Sequence, residues 1–300
     1  MPSRSASPSL ILRAPAKLNL LLAVLEKLPD GYHRIETIFQ AVSVWDEIAL
    51  RPARDITVTC DDPRVPADED NLCHRAARLL REHVSGGQRL GARIGLRKRI
   101  PAQAGLGGGS SDAAATLIGL NRIWRLGLRR ARLAEIAAQL GADVPFFLWG
   151  GTALGAGRGE ILIRLGSAPV LHFTLAWREP GVATAWAYSH CRAAAERSPS
   201  RAMRDALAAG SAEAVAAALR NDLEAAVLPE RPDIAALKQE LLDRGALGAL
   251  MAGSGSAVFG VFRDRTMAQE TAVAMCKRGL WAQAVRSIEA GARASRLVRA

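Results

Sequence analysis

Between Pro101 and Arg125 the chain reads Pro-Ala-Gln-Ala-Gly-Leu-Gly-Gly-Gly-Ser-Ser-Asp and then turns Ala-rich. Gly105, Gly107, Gly108 and Gly109 offer nothing to an apolar core, whereas Ser110, Ser111 and Asp112 are the small polar residues that favour helix N-caps. A glycine loop feeding a helix start directs several backbone N–H groups at one point, at the positive end of the helix dipole. The chemistry on offer is anion binding, and phosphate suits it best. The stretch Pro101, Ala102, Gln103, Ala104, Gly105, Leu106, Gly107, Gly108, Gly109, Ser110 and Ser111 is therefore the candidate cradle. It is not Walker A, because Gly109 rather than Lys precedes Ser110. It is not a dinucleotide fingerprint either, since Ser110 stands where the third Gly belongs. No His-Arg-Asp or Asp-Phe-Gly occurs in the chain, which excludes the protein-kinase set. A flexible linker is the competing reading, and a strand-like run before the loop and a helix after it argue against that.

Three further constellations could carry chemistry. In Ala14-Pro15-Ala16-Lys17-Leu18-Asn19-Leu20, Lys17 and Asn19 lie two apart and share one face of a strand. Spacing alone favours an exposed face, because an unpaired buried Lys is costly; a polar cleft is the alternative. In Gly141-Ala142-Asp143-Val144-Pro145, Asp143 follows a helix-ending Gly and precedes a Val-Pro step biased to extended backbone. It either bonds nearby backbone N–H groups or displays a carboxylate at the mouth of a cleft. Asp30-Gly31-Tyr32-His33 reads as a turn that presents an aromatic plane beside a hydrogen-bonding ring, with a packed hairpin Tyr as the plainer reading. A second glycine turn stands at Gly253-Ser254-Gly255-Ser256.

The elements that must position these groups follow from periodicity. Strands are expected at 9–26, 35–49, 55–60 and 93–99, with a helix at 71–84 ahead of the last of these. Helices follow at 112–125 and 130–140, then strands around 152–165 and 170–177. Beyond Pro180-Gly181 the chain becomes Ala-rich and helical over 183–197, 202–209, 212–219 and 232–244. A strand pair flanks the second glycine turn, a helix spans 266–278 and a last strand lies near 282–287. The class is α+β in two halves: a disordered Ser/Pro-rich tail at 1–8, an N-terminal domain at 9–165 and a C-terminal domain at 166–300.

Three hundred residues suffice for two domains with real cores. The formal net charge of +11 attracts polyanions without choosing among them. The arginines are scattered and stacking aromatics are scarce, so dedicated nucleic-acid binding is the weaker reading. Cys60, Cys73, Cys191 and Cys276 form no C-x-x-C pair and read as reduced thiols of a cytoplasmic protein. Arg13 and Lys17 interrupt the first apolar stretch, which argues against a signal peptide. The uncharged run 245–262 is too rich in Gly to span a membrane.

Taken in order, Lys17-x-Asn19, Asp30-Gly31-Tyr32-His33, the 105–112 loop, Gly141-Ala142-Asp143-Val144-Pro145, Asn221-Asp222-Leu223-Glu224 and Gly253-Ser254-Gly255-Ser256 resemble the GHMP small-molecule kinase superfamily. Pro15-Ala16-Lys17-Leu18-Asn19-Leu20 and Gly31-Tyr32-His33 point to its non-mevalonate isoprenoid branch, which acts on a cytidine diphosphate-linked polyol. The resemblance implies two α+β domains, the first like domain two of ribosomal protein S5. ATP phosphates would rest on the 101–111 loop and be transferred to the 2-hydroxyl of the polyol. Asp143 would be the base and Lys17 its neighbour, while Asn19 would help hold the substrate. Tyr32 would stack on the cytosine, His33 would bond its edge and Tyr188 would supply a second ring. Gly253, Ser254 and Gly255 would line the far side. Mg²⁺ would accompany ATP, with the Ser111 hydroxyl as a protein ligand. Small molecules would be the partners, without nucleic acid or membrane, and the protein a monomer or weak homodimer. Homoserine- or mevalonate-type kinases lack the pyrimidine-reading pair and are the nearest rivals; an RNA-binding module is a remote one.

Overall fold

The computed structural model describes residues 9–84, 89–166, 168–193 and 198–298. The expected tail at 1–8 and the end of the expected 183–197 helix lie outside them. The N-terminal half comprises β1 (Ser9–Lys27), β2 (His33–Ala53), β3 (Ile56–Cys60), α1 (Leu72–Glu82), β4 (Gly91–Arg97), α2 (Gly108–Ile123), α3 (Arg130–Ala138), α4 (Val144–Trp149), β5 (Thr152–Ala156) and β6 (Ile161–Arg164). Then come β7 (His172–Trp177), α5 (Thr184–His190), α6 (Arg201–Ala209), α7 (Ala212–Ala217), β8 (Arg220–Asn221), α8 (Glu224–Glu230), α9 (Pro232–Asp243), β9 (Gly248–Met251), β10 (Val258–Phe262), α10 (Arg265–Lys277), β11 (Trp281–Arg286) and β12 (Arg293–Val298).

Among the described residues the strands form two sheets. The larger runs β12-β1-β2-β4-β3, with β5 on β2, β6 on β5 and β8 parallel to β1. The smaller is the antiparallel order β11-β7-β10-β9. A boundary at 165/166 separates the sheets except for β8 and β12, which return to β1.

The strand β1 therefore belongs to both cores. Leu10, Leu12 and Ala14 pack with Ile48, Ile94, Leu117 and Phe146 under the N-terminal helices. Ala16, Leu18 and Leu20 pack with Phe173, Leu175 and Phe259 of the smaller sheet. The switch between them is a register shift between Pro15 and Ala16, and a second one falls between Asn19 and Leu21. Bulges re-aim side chains locally, and this pair brackets Lys17 and Asn19.

Two local expectations were overturned. The Ser110–Asp112 cluster does not cap α2: the helix begins earlier, at Gly108, behind Gly107 in the left-handed conformation at φ +72°. Glycine adopts that turn without a Cβ penalty, so the serines and Asp112 fall inside the first turns instead. The Val144-Pro145 step is not extended but opens α4, with Pro at the first helical positions, where its missing N–H costs nothing.

Candidate active site

A cleft of ≈ 1550 Å³ lies between the halves. Its walls include Lys17, Asn19, Tyr32, His33, all of 101–110, Asp143, Tyr188, Gly253 and Ser254. Two predicted residues are not on the wall: Ser111, which is fully buried, and Gly255, which sits behind the turn near Met251.

The glycine loop leads into α2, whose N-cap Gly107 has no side chain to accept from the first-turn amides. An uncapped helix start leaves donors for an anion, which is what a phosphate cradle requires. The loop is anchored from both sides. Lys17 N donates to Leu106 O at 3.0 Å and Ala257 N to Ala104 O at 3.1 Å. A Cβ on Gly105 would stand 1.9 Å from Ala252 O, so this close approach admits only Gly. On Gly107 it would meet the Phe147 ring at 2.8 Å. Gly109 is the exception: exposed on the cleft, its Cβ would meet only Leu72 at 3.4 Å.

The expectation of an exposed strand face for Lys17 and Asn19 fails. Both are buried, because the glycine loop at Leu106, Asp143 at the head of α4 and the turn at Gly253 close over this face of β1. Lys17 Nζ donates to Asn19 Oδ1 at 2.7 Å, Asn19 Nδ2 to Thr37 Oγ1 at 2.8 Å, and Thr37 Oγ1 to Leu21 O at 2.6 Å. The ammonium also lies 5.5 Å from the Phe39 ring centroid and 3.4 Å from Asp143 Oδ2. Asp143 sits at the N-cap position of α4 yet makes no side-chain capping bond. The local-turn reading is thereby excluded, and the carboxylate faces the cleft with Lys17 as its partner.

At the far end, the β1–β2 turn presents Tyr32 and His33. The Tyr32 ring is exposed and carries the Arg158 guanidinium 4.1 Å from its centroid; Arg158 also pairs with Asp30. His33 stacks with Tyr188, centroids 5.6 Å apart and planes at 29°. Burial, then the Lys27 charge, holds His33 below its ordinary value. At neutral pH its ring is thus uncharged, with one donor and one acceptor. Burial pushes the Tyr188 hydroxyl up, and the Asp143 carboxylate adds to this. Tyr188 therefore links the aromatic end to the Lys–Asp end.

Sequence reasoning missed a buried charge cluster behind the loop. Lys98 Nζ donates to Asp46 Oδ2 at 2.5 Å and to Asp112 Oδ2 at 2.6 Å. Asp46 Oδ1 accepts from the backbone N–H groups of Arg99 and Ile100, which fixes the chain as it enters the loop. The available signal was an Asp within the apolar run Val44-Trp45-Asp46, which no solvated strand needs. Burial raises the Asp112 carboxyl to about 7; Lys98 opposes this and the Asp46 charge adds to it. For Lys98, burial is outweighed by the two carboxylates, and the ammonium is held above its ordinary value. Asp112 Oδ1 and Ser111 Oγ are buried without a hydrogen-bond partner.

An uncapped helix N-terminus and a buried Lys–Asp pair face one cleft, an arrangement suited to phosphoryl transfer. Residues 71–151 match the GHMP kinases N terminal domain and residues 203–279 the GHMP kinases C terminal domain. A 4-diphosphocytidyl-2-C-methyl-D-erythritol kinase of Pelotomaculum thermopropionicum is 46% identical over 263 residues, covering 86% of this chain and 91% of its own. Its namesake from Gloeobacter violaceus is 44% identical over 265 residues, covering 86% and 87%. A solved 4-(cytidine 5'-diphospho)-2C-methyl-D-erythritol kinase has a TM-score of 0.78 at 35% identity, covering 92% of this chain and 98% of that one. The chain belongs to the 4-diphosphocytidyl-2-C-methyl-D-erythritol kinase family of the GHMP kinases.

Two predictions follow from this geometry. Gly109→Ala leaves stability unchanged, since its Cβ has room, yet weakens ATP about tenfold, roughly 1.4 kcal/mol. Nucleotide titration of the folded variant measures this; undiminished affinity would move the phosphates off the helix start. The second concerns Asp112. Its raised carboxyl binds a proton more tightly folded than unfolded, so this contribution is full below the ordinary Asp value of about 3.9 and is lost as pH rises through about 7. Urea unfolding of wild type and Asp112→Asn between pH 5 and 8 should show that decline only in wild type.

Proposed function

We propose that this protein transfers the γ-phosphoryl group of ATP to the 2-hydroxyl of 4-diphosphocytidyl-2-C-methyl-D-erythritol, in non-mevalonate isoprenoid precursor synthesis. The observation that carries the reading is Asp143, a carboxylate left free of the capping bond its position offers and set 3.4 Å from a buried ammonium. Phosphoryl transfer demands positioning and charge stabilisation more than covalent help. Asp143 orients the substrate hydroxyl and accepts its proton. Lys17, fixed by Asn19 and the loop backbone, steadies the negative charge that develops during transfer. The amides at the start of α2 hold the ATP phosphates.

Mg²⁺ arriving with ATP would neutralise phosphate charge. Phosphate oxygens would hold it; the Ser111 hydroxyl, expected as a ligand, is buried away from the cleft wall and does not fit that role. At the other end of the cleft, Tyr32 stacks on the cytosine, with Arg158 moving aside or riding on the opposite face. Neutral His33 reads the base edge, Tyr188 provides the second ring, and Asn19, Gly253 and Ser254 contact the rest of the substrate. The protein is read as cytoplasmic, a monomer or weak homodimer that binds no nucleic acid. The four cysteines, all free, suit a reducing compartment.

Asp143→Asn keeps the shape and removes the proton acceptor. It should lower kcat by about 10²- to 10⁴-fold with ATP affinity intact, because general-base help is realised only in the transition state. Near-normal turnover of the purified variant would remove Asp143 from the mechanism. Measured against a panel that includes homoserine and mevalonate, the wild type should consume ATP only with the cytidine compound. Tyr32→Ala should cost ~1–3 kcal/mol of substrate binding without changing the preference over a uridine analogue, because stacking accepts any base. His33→Ala should erode that preference, since a wrong base leaves edge groups unpaired. Equal turnover of an alcohol without a nucleobase would rule out the cytidine pocket.

A further inference from the structure

The segment Asn221-Asp222-Leu223-Glu224 has no part in the mechanism above, yet each of its polar side chains is tied to a backbone that forms the site. Asp222 Oδ2 accepts from Val24 N at 2.9 Å, and Asp222 N donates to Leu22 O at 2.9 Å, which fastens the segment to β1 beyond Asn19. Glu224 Oε1 accepts from Met251 N at 2.8 Å. Asn221 is buried and fully engaged. Its Nδ2 donates to Met251 O at 2.8 Å and to Gly253 O at 2.7 Å, while its Oδ1 accepts from Leu223 N at 3.0 Å.

The Gly253 carbonyl is the informative contact. In a trans peptide the C=O and the following N–H point in opposite directions across one plane. With Gly253 O drawn back to Asn221, the Ser254 N–H is directed the other way, and Gly253 and Ser254 both line the cleft. That wall lies beside the reacting groups: a Cβ built on Gly253 would stand 3.4 Å from Lys17 Nζ and 2.9 Å from Gly105 O. A backbone donor at such a place faces anionic oxygens with no side chain to reorganise.

We propose that Asn221 is a positioning residue for phosphoryl transfer. By holding the Met251 and Gly253 carbonyls it fixes the peptide plane that presents the Ser254 N–H to an anionic oxygen in the cleft. Asn is suited to this because its two amide hydrogens can serve two carbonyls at once. Asp has the same shape but faces those carbonyls with oxygen. The proposal rests on the reading that Lys17 and Asp143 mark the site of transfer.

The test uses the full-length protein with Asn221→Asp and Asn221→Ser, each verified as folded by circular dichroism at the assay temperature. Turnover with the cytidine substrate should fall about 10- to 100-fold, the scale of a small misplacement of a catalytic group. Affinity for a non-hydrolysable ATP analogue should stay within about twofold, because Asn221 bonds neither the loop nor the α2 amides, and Lys17 N still anchors the loop at Leu106. Relative to wild type, Asn221→Asp should regain turnover as pH is lowered, since a protonated carboxyl restores one donor. A purely scaffolding role would lower the melting temperature and leave kcat of the folded protein unchanged, and that result overturns the proposal. So does a loss of ATP affinity in step with kcat. If wild type ignores the cytidine substrate, the substrate reading fails by itself, and Asn221 is tested on whichever panel alcohol is phosphorylated.

Discussion

The buried Lys17 ammonium constrains more of this structure than any other group. A charge taken from water must recover its hydration from fixed partners, and its geometry has to be good to do so. Here the partners come from separate parts of the chain: Asn19 two residues on, Asp143 at the start of α4, and the Phe39 ring of β2. The backbone of the same residue bonds the glycine loop at Leu106. Moving β1 by one residue would bury a leucine in the cleft and place the ammonium in an apolar core. The register shifts that bracket Lys17 and Asn19 prevent this, because they fix which side chains face the cleft irrespective of the alternation on either side.

From that constraint the division of labour follows. The N-terminal half supplies a helix start whose amides no side chain caps, and a rear cluster in which Asp46 takes the N–H groups of Arg99 and Ile100. The loop is therefore set before any ligand arrives, and pre-organised donors cost nothing further at the moment of reaction. The C-terminal half supplies the turn at 253–256, which approaches Gly105 so closely that a methyl group could not fit. Because β12 and β8 both return to β1, the two halves meet along a shared strand rather than a flexible linker. The cleft is a seam within one hydrogen-bonded framework.

Much of this was legible in the sequence, and the exceptions share a cause. The strands other than β8 and β12, which no expectation covered, together with α1, α3 and the glycine loop, follow from short-range periodicity and turn chemistry and occur where those signals lie. Spacing alone misjudged Lys17 and Asn19, because whether a polar strand face is solvated depends on what closes over it, here Leu106, Asp143 and Gly253, all distant from it in the chain. The N-cap assigned to Ser110–Asp112 failed since Gly107 takes the turn, and Asp112 is spoken for by Lys98. The partnership of Lys98 with Asp46 was missed for the complementary reason: it pairs β2 with the chain just beyond β4, which no local window contains. The resemblance to GHMP kinases assigned roles to Lys17 and Asp143, but only the structure shows that the Asp143 carboxylate makes no capping bond and faces Lys17 instead.

The residues proposed for substrate identity and those proposed for catalysis stand on different kinds of backbone. Lys17 and Asn19 stand buried on β1 and the glycine loop runs into α2, whereas Tyr32 stands on the turn between β1 and β2, His33 at the first residue of β2 and Arg158 on the neighbouring β5–β6 turn. Positioning for transfer tolerates little displacement, and a rigid frame provides that. Reading a nucleobase requires planes and edges that can adjust around a ligand, and turns provide those. The exposed Tyr32 ring, covered only by Arg158, would be a poor choice for a core and a good one for a surface that must exchange one flat partner for another. Tyr188 joins the two regimes. Stacked on His33 at one end and within the electrostatic reach of Asp143 at the other, it would, on the proposed function, let a base seated among the rings bear on where the hydroxyl lies relative to Asp143.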